Sequence, residues 1–497
     1  MTPFLIVCLY GNNKMADVKL SSRITGKAVV VFSIVILSFF WSCHSFHPNN
    51  KSEAGFKPNI IVLLLDDAGY ADFGFAGSKD LETPNVDQLA QKGVVFTNAY
   101  VSATVCGPSR AGLITGRYQQ RFGFECNPTE PFSGLDLQEE TLGDAMKKAG
   151  YVTAAFGKWH LGNDPDYRPN ARGFDYFWGF LAGGRHYFPN ARQDQAGEIH
   201  SIRENDKFTE FEGYLTDRLG DKAVEFIDRN KEKPFFVYWA PNAVHTPMEA
   251  TEEDLARYEG HPRQELAAMT WALDRAVGEI KDKLKKENLL ENTLIFFLSD
   301  NGGAHNNQSS NAPLKGFKGN KYEGGMRVPF FMHWPAKIDG GKTFNGLTSA
   351  LDIFATSLDA AGASEEAFSN LDGISLLPFL KEGKDEGPHR ELFWRKDQAA
   401  AARVGDHKLI RVERLGYRLY NLRENLGETD DLTVQNQKAF DCLKSKLSKW
   451  EGEMTEPLWT EGQTWDTITW MIYQDLFLNR EVRVKNPGQL KKYLNPR

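Results

Sequence analysis

The sequence predicts an α/β fold: a large, mostly parallel central sheet flanked by helices, with a smaller C-terminal α+β subdomain. Three observations predict it. Short apolar runs alternate with segments of helical spacing, the pattern of parallel strands joined by crossover helices. Several of the runs are apolar without interruption, as in strands buried on both faces. Past residue 380 the pattern changes to alternating polar and apolar residues, which suits antiparallel strands.

In chain order, Ile60–Leu65 is the first continuous apolar run, and it ends in Asp66-Asp67. Thr83–Lys92 and Thr141–Ala149 have helical spacing, and the run Val152–Phe156 that follows ends in Gly157-Lys158-Trp159-His160. A helix over Leu215–Asn230 leads to Phe235–Ala240, which ends in Pro241-Asn242-Ala243-Val244-His245. A helix over Arg263–Glu287 leads to Leu294–Leu298, which ends in Ser299-Asp300-Asn301-Gly302-Gly303. Four predicted strands thus carry polar chemistry just past their C-terminal ends, the edge at which open α/β sheets bind ligands. Arg185-His186-Tyr187-Phe188 sits in a Gly-rich aromatic stretch that reads as a surface loop, and 305–322 is a loop rich in Asn, Gly and Lys.

The second unit is expected to start within 376–388. Ala402–Val412 and Arg418–Leu422 read as antiparallel strands, and Phe440–Trp450 as an amphipathic helix. The tail carries Trp459, Trp465, Trp470 and Tyr473. These aromatics read as packing on the main domain, with a sugar site as their other use.

A chain of 497 residues is long enough for a large core plus a smaller unit. Its 41% hydrophobic and 25% charged content is that of a globular protein, and a net charge of −7 argues against a general nucleic-acid binder. Lys19, Arg23 and Lys27 precede the apolar run Ala28–Trp41, which is too short to span a bilayer, and Ser42-Cys43 follow. Residues 1–43 therefore read as a secretory signal peptide, with Met15 opening a better n-region than Met1. The Cys at the end of the run resembles a bacterial lipoprotein attachment site, although Phe40 and Trp41 suit such a site poorly; an uncleaved anchor is the remaining alternative. Residues 44–56 read as a tether, 57–380 as the main catalytic domain and 381–497 as the C-terminal subdomain with a small antiparallel sheet. The protein is expected to be exported to the periplasm or cell surface, meeting a membrane only through a lipid on Cys43. Of five Cys, Cys106, Cys126 and Cys442 lie outside the leader, an odd and sparse set that does not describe a disulfide scaffold.

The run Cys106-Gly107-Pro108-Ser109-Arg110-Ala111-Gly112-Leu113-Ile114-Thr115-Gly116 is crowded with special residues. Pro108 suits the first turn of a helix and Thr115-Gly116 its end. Arg110 comes four residues after Cys106, so both can face one anion at a helix N-terminus. On residues alone the thiol is either a buried structural Cys or a thiolate nucleophile activated by the helix end and Arg110. Asp66, Asp67, Asp300 and Asn301 are hard oxygen donors that suit Ca2+ or Mg2+ rather than Zn2+, with capping or turn roles as the alternative for any one of them.

The pattern Cys106-x-Pro108-Ser109-Arg110-x-x-x-x-Thr115-Gly116 resembles the signature of the formylglycine-dependent type I sulfatases, the arylsulfatase-like members of the alkaline-phosphatase superfamily. Asp66-Asp67, Gly157-Lys158-Trp159-His160, His245-Thr246-Pro247, Asp300-Asn301-Gly302-Gly303 and Lys318 with Glu323-Gly324-Gly325 follow in the order that family shows. The resemblance runs from Pro58 to the end of the chain and is dense up to Pro335.

The resemblance implies an alkaline-phosphatase-like sheet and a sulfuric ester hydrolase, most plainly a secreted bacterial polysaccharide sulfatase. It implies that Cys106 is oxidised to formylglycine (3-oxoalanine) by a formylglycine-generating or anaerobic sulfatase-maturating enzyme. One metal ion, Ca2+ in preference to Mg2+, is implied on Asp66, Asp67, Asp300, Asn301 and the modified residue 106. Arg110, Lys158 and Lys318 would hold the sulfate, and position before Gly319 favours Lys318 over Lys321. His160 is implied beside formylglycine and His245 at the leaving group. The implied mechanism has one hydroxyl of the aldehyde hydrate attack sulfur, the alcohol leave with a proton from His245, and the second hydroxyl expel sulfate.

A sulfated carbohydrate is the expected partner, either an algal polysaccharide such as ulvan or carrageenan or a glycosaminoglycan. Arg185, His186, Trp394 and Arg395 are the candidates for holding the sugar. Two rivals stand beside this reading: a formylglycine-dependent phosphodiesterase or phosphonate hydrolase of the same superfamily, and a degenerate sugar-binding surface protein without activity.

Overall fold

A computed structural model describes residues 57–128, 134–381 and 386–495. The leader, the tether and Cys43 lie outside the described residues. Lys57–Arg497 form one compact unit.

Four parallel strands make its centre: β1 (Asn59–Leu65), β2 (Val152–Lys158), β3 (Phe235–Ala240) and β4 (Thr293–Ser299). They lie side by side in the order β4-β1-β3-β2, within a ten-stranded sheet. β1 pairs in parallel with both β4 and β3, so the first strand of the fold sits inside the sheet with later strands on either side. Beyond β4 the strand Phe330–His333 runs antiparallel, which makes the sheet mixed at that side. The four sequence-predicted strands are all present, each agreeing to within two residues at either end.

The uninterrupted apolar character of β1 has a direct structural cause. Ile60, Val62 and Leu64 enter one hydrophobic cluster, while Ile61, Leu63 and Leu65 enter another on the opposite face. Side chains alternate across a strand, so the middle of a strand covered on both faces, here 60–65, is apolar on every position. The covering helices include Leu215–Asn230 and Gln264–Lys286, which pack on the second cluster through Leu219, Ala223, Leu273 and Val277.

The C-terminal part is a four-stranded antiparallel sheet of Glu391–Lys396, Ala399–Val404, His407–Val412 and Gly416–Asn421, followed by a helix over Gln437–Glu451. This corrects the reading of Ala402–Val412 as one strand. Val404 pairs with His407 across a two-residue turn, and Gly405 takes a positive φ of 55° there. A left-handed residue reverses the chain, and Gly adopts that conformation without a Cβ clash. The run Ala399–Ala402 carries little strand propensity of its own, which hid the hairpin in the sequence.

Candidate active site

The C-terminal ends of the four parallel strands deliver the site. Asp66 and Asp67 follow β1, Lys158 ends β2 and His160 lies just past it, His245 follows β3, and Asp300 and Asn301 follow β4. Facing them is α1 (Cys106–Thr115), every residue of which is buried. Cys106 opens the helix and Arg110 lies one turn on, so both project to one side.

The buried charges at this edge are arranged in opposed pairs. Lys158 Nζ donates to Asp66 Oδ2 at 2.7 Å. Arg110 Nε donates to Asp300 Oδ2 at 2.9 Å, and its NH1 donates to the Lys158 carbonyl at 3.0 Å. Lys318 Nζ stands 2.6 Å from Asp67 Oδ1 and donates to Cys106 Sγ at 3.1 Å. Asn301 Nδ2 donates to Asp67 Oδ1 at 2.8 Å. Buried ions persist only when paired and hydrogen-bonded, and these satisfy that rule within one layer of side chains.

The electrostatics follow from the pairing. Burial works against ionisation of Asp66 and Asp67, but the lysines beside them prevail: Lys158 and then His245 hold Asp66 well below the usual carboxylate range, and Lys318 and His245 lower Asp67. Lys318 itself is held well above its usual value, since Asp67 and Cys106 outweigh the effect of burial. The Cys106 thiol behaves differently. Burial pushes it up to about 11 despite Lys158 and Lys318, so it is protonated near neutrality. A thiol is nucleophilic only as thiolate, which weakens the thiolate reading of Cys106.

Both histidines are held neutral. Burial, with Lys158 and Arg110 nearby, lowers His160 well below its usual value, and burial lowers His245. His245 Nδ1 lies 2.6 Å from the Thr246 carbonyl, which requires the proton on Nδ1 and turns Nε2 toward Asp67 Oδ2, 3.6 Å away. His160 has a φ of 62°, and a Cβ on Gly183 would lie only 2.7 Å from its Nε2. Gly183 therefore makes room for the ring.

Two oxygens here bear on a metal. Asp66 Oδ1 and Asn301 Oδ1 are buried and have no hydrogen-bond partner. A buried unpartnered oxygen costs about 1–3 kcal/mol unless something binds it. Ligand atoms of Asp66, Asp67, Cys106 and His245 lie within 4.8 Å of one another. Carboxylate and amide oxygens fit a hard cation, so the residues present suit the kind of ion predicted for them.

Ten of the predicted site residues thus converge: Asp66, Asp67, Cys106, Arg110, Lys158, His160, His245, Asp300, Asn301 and Lys318. Lys321 is set apart, buried and donating to Thr104 Oγ1 at 3.1 Å. The four sugar candidates do not line the cleft that opens from this centre. Trp394 is buried and its indole donates to the Val101 carbonyl at 2.7 Å. Arg395 is committed to Glu125 at 3.0 Å. Arg185 was read as part of a surface loop, but it is buried against Asp194 at 2.9 Å and lies over the Phe211 ring. In each case a donor or cation found an internal partner, which the flanking sequence did not reveal. His186 is half-buried and meets Glu249 at 2.6 Å.

Sequence reasoning missed the supports of Asp67. Asn307 Nδ2 and Ser309 Oγ both donate to its carbonyl, at 3.1 and 3.0 Å, and fix a residue whose φ is 61°. The Asn-rich composition of 305–322 was the available signal, since Asn and Ser side chains satisfy irregular backbone.

Comparisons with known proteins agree with this geometry. Residues 58–363 match the family model described as Sulfatase, and residues 317–450 match N-sulphoglucosamine sulphohydrolase, C-terminal. Human N-acetylgalactosamine-6-sulfatase is 35% identical over 377 residues, covering 71% of each chain. The uncharacterized sulfatase YdeN of Escherichia coli K12 is 35% identical over 405 residues, covering 70% of each. The crystal structure of Ps i-CgsB in complex with k-i-k-neocarrahexaose superposes with a TM-score of 0.77 at 37% identity, covering 83% of this chain and 96% of that one. With its mixed sheet, its strand-end site and these relatives, the chain belongs to the type I sulfatases of the alkaline-phosphatase superfamily and is a sulfuric ester hydrolase.

Proposed function

We propose that this sulfatase removes sulfate esters from a sulfated glycan, with formylglycine at position 106 and Ca2+ as its resident ion. The observation that carries the proposal is the convergence of Lys318 on both Cys106 Sγ and Asp67, beside a neutral His245 at the inner end of the cleft. Relatives that act on sulfated sugars support the glycan: N-acetylgalactosamine-6-sulfatase by name, and Ps i-CgsB by the carrageenan oligosaccharide in its complex.

Asp66, Asp67, Asp300 and Asn301 would hold the cation, whose chemistry is to draw charge from sulfate oxygens. Formylglycine hydrate would supply a hydroxyl nucleophile and a second hydroxyl through which the sulfate ester is released. The chain's own residues do the rest. Arg110, Lys158 and Lys318 present fixed cations to a sulfate whose charge moves toward the leaving oxygen, and such preorganised charge is worth about 3–4 kcal/mol per donor in a water-poor site. His160, neutral and with Nδ1 unpartnered, can take a proton beside residue 106. His245, anchored through Nδ1, directs Nε2 into the site, where the ring must first gain a proton before it can pass one to the departing oxygen. On this reading the protein is exported and matured by a formylglycine-forming enzyme.

The test is a panel of defined sulfated oligosaccharides, with released sulfate as the readout and Cys106→Ala as control. Sulfate release abolished in that variant is expected. Residual turnover by Cys106→Ala, or faster turnover of p-nitrophenyl phosphate than of p-nitrophenyl sulfate by the intact protein, would overturn the proposal.

A further inference from the structure

A cleft of about 390 Å³ opens from the reaction centre and extends well beyond it. Its inner end is Asp67, His245 and Lys318, and its outer wall comes from α2 (Gln463–Phe477) and the segment that follows. Trp465, Thr469 and Ile472 recur at helical spacing and all line the cleft. Elsewhere on the same helix, Ile468 and Met471 are buried against Val484 and Leu490. The helix is thus anchored through one set of side chains and offers another to the cleft. Trp465 stays 39% exposed, an uncommon state for a large aromatic ring.

Two lysines line the same cleft, in different states. Lys396 is neutralised by Asp397 at 2.6 Å and Glu461 at 2.8 Å. Lys485 lies over the Phe317 ring at 6.0 Å and makes no ion pair among the described residues. Binding clefts are mostly apolar with a few convergent polar groups, and an exposed ring and an uncommitted cation lining one cleft have that form. A pyranose ring has an apolar C–H face that fits an aromatic ring, and an acidic substituent on it fits the cation.

We infer that this outer wall is a second sugar subsite. It holds the residue glycosidically joined to the sugar that carries the scissile sulfate, stacked on Trp465, with a second anionic group paired to Lys485. The inference rests on the sulfated-glycan reading. It makes the substrate an oligosaccharide with anionic groups on neighbouring sugars, not an isolated sulfated monosaccharide.

The test measures binding by calorimetry in the full chain carrying Cys106→Ala, so that turnover does not enter. The probes are a carrageenan tetrasaccharide, whose neighbouring anion is a sulfate, a chondroitin sulfate tetrasaccharide, whose neighbouring anion is a carboxylate, and p-nitrophenyl sulfate, which has no second sugar. Adding Lys485→Met is expected to weaken the preferred tetrasaccharide by at least ~10-fold more than p-nitrophenyl sulfate, and to flatten its dependence on ionic strength. Adding Trp465→Ala is expected to weaken the same tetrasaccharide while leaving the salt dependence in place. Which tetrasaccharide responds identifies the second anion. Equal losses on tetrasaccharide and p-nitrophenyl sulfate, no loss on either, or no binding of either tetrasaccharide overturns the inference. Hydrolysis of p-nitrophenyl sulfate by the unsubstituted protein tests the sulfatase reading separately, and its outcome does not alter the binding result.

Discussion

Lys318 and Cys106 are 212 residues apart in the chain, yet the lysine ammonium lies 3.1 Å from the sulfur. The same ammonium holds Asp67, so one side chain ties Cys106 to the carboxylate that follows β1. The contact joins a loop rich in Asn and Gly to the first residue of a buried helix, and it makes the loop part of the chemistry.

Replacing Lys318 should therefore act on catalysis before stability. Lys318→Met is expected to lower kcat by about 10²–10³-fold, the usual effect of losing one preorganised donor. Released sulfate from p-nitrophenyl sulfate measures it. A fall below threefold would show that Lys318 does not hold the reacting group.

The unpartnered oxygens of Asp66 and Asn301 predict a stabilising ion. Millimolar Ca2+ is expected to raise Tm of the metal-stripped protein, because a ligand bound only by the native state stabilises it by mass action. Asp66→Asn and Asn301→Ala should each reduce that rise. Thermal melting with and without chelator decides the matter independently of turnover.

His389, half-buried, pairs with the buried Asp352 away from the site, with Nε2 2.6 Å from Oδ1. Burial lowers the His389 pKa, but the Asp352 carboxylate prevails and raises it above the ordinary value of 6.5. A raised folded-state pKa stabilises fully below the unfolded value and loses that contribution as pH rises through the folded one. The intact protein should therefore exceed His389→Asn in stability at pH near 6, with a gap that narrows as the solution becomes alkaline. Urea midpoints across that range measure the gap, and a gap that widens with pH would contradict the pairing.

Trp394 is buried in the core beneath the antiparallel sheet. Trp394→Ala is expected to cost about 3–5 kcal/mol of stability, as for other buried large-to-small changes. Denaturant unfolding reads this directly. If stability holds and only oligosaccharide turnover falls, the residue has a role in binding that its burial does not show.

The particular residues show what was legible beforehand. β1 announced itself because a strand covered on both faces is apolar through its middle, and Asp66 then marks the point where buried polar residues begin. The same logic placed Lys158, His245 and Asp300 at strand ends, and their meeting followed from the parallel sheet alone. Trp394, Arg395 and Arg185 were not legible in this way. Each is an aromatic or basic residue of a kind that often binds sugars, and each turned inward to Val101, Glu125 or Asp194.

By itself, then, the sequence determined the layered α/β order and the edge at which polar residues gather. Those depend on local periodicity and on strand ends, which neighbouring residues encode. The tertiary structure alone decided which cations are free and which are spent. Lys396 and Lys485 look alike in the chain, but Asp397 and Glu461 neutralise the first while the second faces the cleft without a counter-ion among the described residues. Charge pairing depends on distances of a few ångströms between segments far apart in sequence, and those distances exist only once the sheet and the C-terminal helix have packed.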